Sequence, residues 1–178
     1  MSIDLGLVQG LAAEAFGQPG KRTFQLRFLG EYGETAGLAV EKQHIVGLSV
    51  ALEQMLDHLG YDEKANPVTM VGFPARPDHA LQVGRMSIGL HDPDTSLVLM
   101  VHDMADIDEA SPTLTVRFSQ AQAAGLRIRL NEIIAAGRPI CQLCGMPIDP
   151  EGHVCVRMNG HTKQPIPDTE AEADSDSN

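Results

Sequence analysis

Across residues 41–59 the apolar side chains Ile45, Leu48, Leu52, Met55, Leu56 and Leu59 recur at intervals of three and four, and Gly60 stands where a helix cap belongs. A stripe of that kind needs a surface to bury it. The flanking segments supply one, because their period is two. Phe24, Leu26 and Phe28 share a face, residues 30–33 read as a turn, and residues 36–40 return as the second arm of a hairpin. A second hairpin spans residues 81–102. Met86, Ile88 and Leu90 line one face of its first arm, His91-Asp92-Pro93-Asp94-Thr95 makes the turn, and residues 97–101 are apolar on both faces, as in a central strand. Leu114, Val116 and Phe118 mark another strand. Ser119 and Gln122 then have capping-box spacing, which opens a second helix ending at Gly137. The weak alternation of residues 1–16 reads as one short edge strand, and residues 68–73 as another, interrupted by Pro74 and Pro77. The fold class predicted is α+β over residues 1–138: a mostly antiparallel sheet with two amphipathic helices on one face.

The two strand-to-helix stretches resemble each other. A shift of 78 residues lays Gly47, Leu48 and Leu52 on Gly125, Leu126 and Leu130, with further apolar matches at Val50 with Ile128 and Leu56 with Ile134. One source of this match is an internal ββα duplication within a shared sheet. The other is helical periodicity, which by itself makes amphipathic helices alignable.

All three cysteines fall between residues 141 and 155. Cys141 and Cys144 are spaced as a turn that offers two thiolates, and Gly145 follows, where a knuckle needs a residue free to adopt left-handed angles. His153 and Cys155 alternate, so an extended backbone turns both to one side, and residues 149–152 read as the reversal that returns them. The set predicts a zinc knuckle over residues 139–163 with Cys141, Cys144, His153 and Cys155 as ligands and His161 as the rival fourth. Four protein ligands leave no open position on Zn2+, which makes the metal structural. Three reduced thiols beside an unrelated histidine are the plainer alternative.

Net charge is −11 over 178 residues and is uneven. Residues 1–116 hold 7 Lys+Arg against 16 Asp+Glu, residues 117–163 hold 6 against 3, and residues 164–178 hold none against 5. An acidic surface repels phosphate, which argues against general nucleic-acid binding. The local excess of Arg117, Arg127, Arg129, Arg138, Arg157 and Lys163 reads either as a contact surface beside the knuckle or as a solvated face. Residues 164–178 carry the composition of a disordered acidic tail. The first residues show neither a basic nor an apolar leader pattern, and no run suits a membrane span, so the expected location is cytoplasmic with no membrane partner.

Two further motifs bear on chemistry. Gly20-Lys21-Arg22-Thr23 invites comparison with a phosphate loop, but Ala15 stands where such a loop needs glycine, and a strand follows instead of a helix. An anion held by Lys21 or Arg22 is one use for this segment, and a hairpin lead-in is the other. His91, His102 and Asp103, with Asp106, Asp108 and Glu109 nearby, could serve a metal-dependent hydrolase or a phosphotransfer-associated enzyme. Their spacing matches no calcium loop or two-metal motif. The chain therefore reads as a zinc-binding adaptor with a protein partner, and the enzyme is the alternative.

The residues Gly17-Gln-Pro19-Gly20-Lys-Arg22-Thr23-Phe24, the segment Val40-Glu41-Lys42-Gln43, and the stretch from Gly137-Arg138-Pro139 through Cys141, Cys144, His153 and Cys155 to Asn159-Gly160 carry a resemblance. They resemble an uncharacterised, mainly actinobacterial family, domain of unknown function family 3090. The resemblance covers most of the chain and implies a shared C-terminal Cys/His pattern. It supplies no catalytic residues, because that family has no established activity. His44 departs from the plainer apolar residue expected of the family.

Overall fold

The alternating segments form strands and the three-four segments form helices in a computed structural model that describes residues 2–18, 21–62, 72–93, 95–106, 110–137, 141–144 and 148. The chain divides into a first unit, Met1–Gly137, and a second, Arg138–Asn178. The first unit is a mixed α+β structure. Its elements are β1 (Ile3–Leu7), β2 (Gly10–Phe16), β3 (Thr23–Leu29), β4 (Thr35–Val40), α1 (Lys42–Leu59), β5 (His79–His91), β6 (Ser96–Asp103), β7 (Leu114–Phe118) and α2 (Gln120–Ala136).

The seven strands make one sheet in the order β1-β7-β6-β5-β4-β3-β2. Both hairpins expected from the alternation are present, and β6 lies between β5 and β7. Two ladders are parallel, β1 with β7 and β4 with β5. A parallel neighbour needs a long connection, and α1 lies within the one joining β4 to β5.

Residues 1–16 are two strands where the alternation suggested one. The reason is a change of partner at a bend, which falls on Gln9 between the two strands. The Val8 amide donates to the Arg117 carbonyl at 2.8 Å, and the next amide, Gln9, donates to the Leu29 carbonyl at 2.9 Å. The first strand in the order thus passes directly into the last, and the sheet curls until its ends meet. β5 makes a similar transfer. Its start, 79–82, pairs with β4, and from Val83 onward it pairs with β6, with a register shift between Val83 and Arg85. Gly84 sits at that shift, where a Cβ would come within 3.2 Å of the Met104 backbone. Of the segment read as a strand at 68–73, Gly72 and Phe73 are outside any strand and the rest lies outside the described residues.

One apolar cluster joins the sheet and both helices. Leu26, Phe28, Leu38, Leu97, Leu99, Leu114, Val116 and Phe118 from the strands meet Ile45, Leu48, Leu52 and Leu56 of α1 and Leu126, Leu130 and Ile133 of α2. The helices also bond to each other, through Ser49 Oγ to Asn131 Oδ1 at 2.7 Å and Arg127 Nη2 to Glu53 Oε1 at 2.8 Å. Helix α1 ends at Gly60 with φ of 64°, the left-handed cap expected of a glycine at that position. At its start the Glu41 amide donates to His44 Nδ1 at 3.2 Å, so His44 is used as a cap.

The capping box of α2 has a second duty. Ser119 Oγ accepts from the Gln122 amide at 3.2 Å, and Gln122 Oε1 accepts from the Ser119 amide at 2.8 Å. Gln122 Nε2 then donates to the Val8 carbonyl at 2.9 Å, inside the protein. One buried amide thus caps the helix and satisfies the junction of β1 and β2. A comparable link sets the parallel ladder. Asp78 Oδ2 accepts from both the amide and the hydroxyl of Thr35 at 2.8 Å, tying the start of β4 to the residue before β5.

Both links can be tested. Gln122→Ala should destabilise the protein by about 2 kcal/mol, since it removes a cap and orphans a buried carbonyl; urea denaturation measures it, and a loss under about 0.5 kcal/mol would contradict this role. Hydrogen bonds from the Thr35 side chain, then its amide, hold the Asp78 carboxyl below its usual value of 3.8. A depressed carboxyl contributes stability that is present above the unfolded value and fades as pH falls through the folded one. The gap in Tm between wild type and Asp78→Asn should therefore be widest near neutral pH and shrink below about pH 4.

Candidate functional site

The cysteine turn lies in the second unit, of which residues 141–144 and 148 are described. Gln142 to Cys144 forms a turn, with Cys141 buried and Cys144 half-buried. Two thiols thus flank a tight reversal, the local arrangement from which a metal takes two ligands. His153, Cys155, the rival His161 and the acidic tail lie outside the described residues.

The His/Asp constellation is brought together only in part. His102 and Asp103 end β6, while His91 ends β5 opposite Ser96. Arg85 is the residue opposite His102, and six residues of strand separate it from His91, roughly 20 Å at 3.3 Å per residue. His91 therefore shares no site with the other two.

Around Asp103 the polar groups serve the backbone. Its Oδ1 accepts from the Ala105 amide at 2.8 Å and its Oδ2 from the Gln82 amide at 3.0 Å. Its own amide donates to Thr113 Oγ1 at 2.9 Å, and that hydroxyl donates to Asp106 Oδ2 at 2.9 Å. The Asp103 carboxylate thus fixes the turn after β6 and the adjoining edge of β5. Arg85 Nη2 lies 3.2 Å from His102 Nε2, and since arginine only donates, the imidazole nitrogen accepts. His102 Nδ1 is buried without a hydrogen-bond partner. These groups line a shallow pocket with Gly84 and Met104. Among the described residues no three His, Cys, Asp or Glu side chains are grouped as a metal site would require.

The basic residues read from the sequence are also engaged within the fold. Arg127 bonds Glu53, and Arg129 donates from Nε to the Ala13 carbonyl at 3.1 Å and from Nη1 to Glu132 at 2.9 Å. Arg117 lies half-buried on β7, and Arg138, Arg157 and Lys163 lie outside the described residues. No helix among the described residues is long and apolar enough to cross a membrane.

The family model described as protein of unknown function (DUF3090) matches residues 4–155, which takes in all of the sheet but its first residue, both helices and the cysteine pattern as far as Cys155. The chain belongs to this family. Among curated proteins none matches it. Membership spans both units, so the Cys/His segment up to Cys155 belongs to the family's matched region along with the sheet.

One working side chain escapes a reading of the sequence for chemistry. His44 stands out there only as a departure from the family, yet Glu at a cap position followed three residues later by a hydrogen-bonding side chain is a legible capping signal.

Proposed function

We propose that the chain is a cytoplasmic zinc-binding adaptor, with one structural Zn2+ held by Cys141, Cys144, His153 and Cys155, or by His161 in place of His153. The observation that carries this reading is the turn through Gln142–Cys144, with the thiol of Cys141 buried. It supports the reading because a buried thiol followed by a tight reversal and a second thiol is half of a tetrahedral knuckle. A module of this length has little apolar residue content to bury, so a metal would replace hydrophobic burial in fixing its shape. Its surface would then be rigid enough to present to a protein partner. The full chain purified without chelator should carry about one equivalent of zinc, and Cys144→Ser should lower this at least several-fold. Content below about a tenth of an equivalent would remove the reading. A partner captured by the native chain from its host should be lost with Cys144→Ser, while one retained equally by both would place the contact elsewhere.

We also infer that residues 1–137 arose by duplication of one strand-and-helix unit. The 78-residue offset carries Lys42 at the start of α1 to Gln120 at the start of α2. It also carries Ala36, which faces His79 across one parallel ladder, to Leu114, which faces Ile3 across the other. Thr35, the first residue of β4, and Thr113, the residue just before β7, with hydroxyls on Asp78 and Asp106, match by the same offset. If the halves are equivalent, a permuted chain that places 72–137 before 1–62, joined by a linker as long as residues 61–78, keeps every ladder. It should unfold cooperatively with a Tm near that of the native order; a molten product would count against equivalence.

A further inference from the structure

The sequence motif that the zinc reading leaves unused is Lys21-Arg22, and the structure gives Arg22 an unexpected setting. Arg22 lies just before β3 and reaches the far end of α2. It lines a pocket of about 190 Å³ together with Lys42 from the first turn of α1. The walls are apolar: Phe24 of β3, Ile45 of α1, and Ile133 and Ile134 of α2. Among the described residues no carboxylate lines it, although residues 1–116 carry 16 acidic side chains against 7 basic ones.

The guanidinium is underused. Its Nη1 donates to the Ile133 carbonyl at 3.4 Å, the long limit for such a bond, and its Nε is buried with no partner. Arginine presents five donors in a fixed fork, and here one weak bond is made. Lys42, in turn, is in no ion pair among the described residues. Two cations facing a partly enclosed, otherwise apolar space lack the counter-charge that such a setting favours.

We propose that this pocket binds a small organic carboxylate with an apolar body. Three features select that class. A guanidinium fork matches the two oxygens of a carboxylate, and Lys42 adds a second positive charge. The isoleucine and phenylalanine walls require an apolar portion, and a cavity of about 150 Å³ with comparable lining accepts a benzene ring, so 190 Å³ suits a ring or branched chain of similar size. The pocket also faces the C-terminal turn of α2, whose carbonyls carry partial negative charge. That turn opposes a phosphate dianion more than it opposes a carboxylate.

The competing use of Arg22 is purely structural, as a cation supplied to the end of a helix whose own last turn has no basic residue. The test separates the two. The full chain is titrated with benzoate at low salt, by calorimetry and by saturation-transfer NMR on the ring protons. Benzoate should bind with a Kd below about 1 mM. Lys42→Gln, a change at an exposed position that leaves the helix end untouched, should weaken it at least about 10-fold, and Arg22→Met at least as much. Acetate, which lacks the apolar body, and inorganic phosphate should each bind at least about 10-fold more weakly than benzoate. Should Arg22→Met fail to fold, Lys42→Gln alone decides between the two uses. No benzoate signal up to about 10 mM would overturn the proposal, as would a Lys42→Gln protein that binds like wild type. Phosphate binding more tightly than benzoate would overturn the carboxylate class.

Discussion

Two adjacent amides close the sheet. Across the bend at Gln9 two successive N–H groups point to different strands, so Val8 bonds to β7 while Gln9 bonds to β3 with no longer loop between them. That transfer turns a seven-stranded ladder with two exposed ends into one whose ends are a single stretch of backbone. The concave interior this creates is filled by leucine, valine and two phenylalanines, with the inner stripes of both helices. The closure leaves the Val8 carbonyl inside, and Gln122 answers it. Helix α2 is thereby fixed to the place where the sheet would otherwise open.

An interior so largely apolar, with Gln122 among its few polar members, leaves most polar chemistry to the rim. Asp103 and Thr113 sit where strands turn, with the hydrogen bonds of their side chains directed at backbone or neighbouring side chains of that turn. Arg129 is likewise taken up by the Ala13 carbonyl and Glu132. Several conspicuous polar residues in the sequence therefore serve the scaffold. Arg22 differs, because burial of its stem holds it while its donors remain largely unanswered.

Much of this architecture can be read from residues alone, and the reasons differ by element. The stripe of α1 with Gly60, and the Ser119–Gln122 box of α2, are local signals for local structures. So are the hairpins, whose alternation needs only the neighbouring strand to explain it. The switch at Val8–Gln9 is invisible in the sequence because the bend at Gln9 carries no glycine or proline to mark it and only the strand partners change. The parallel pairing of β4 with β5 has no local sign either, since it depends on where α1 returns the chain. His91 and His102 are near in sequence across a hairpin, but strand geometry extends that nearness to opposite ends of the pair. The cysteine turn is legible from spacing, because two thiols three residues apart leave the chain few alternatives.

The parallel pairing of β1 with β7 sets an order of events during synthesis. Ser2 bonds to the Pro112 carbonyl, 110 positions later in the chain. At about 5–20 residues per second, β1 waits roughly 5–20 s for the partner that completes it. The first α/β half emerges meanwhile with two open strand edges, β1 awaiting β7 and β4 awaiting β5. An open edge invites pairing with any other extended chain. A nascent polypeptide of this fold is therefore exposed longest at β1, and a slow stretch of translation between residues 60 and 114 would prolong that exposure without changing a single contact in the finished protein.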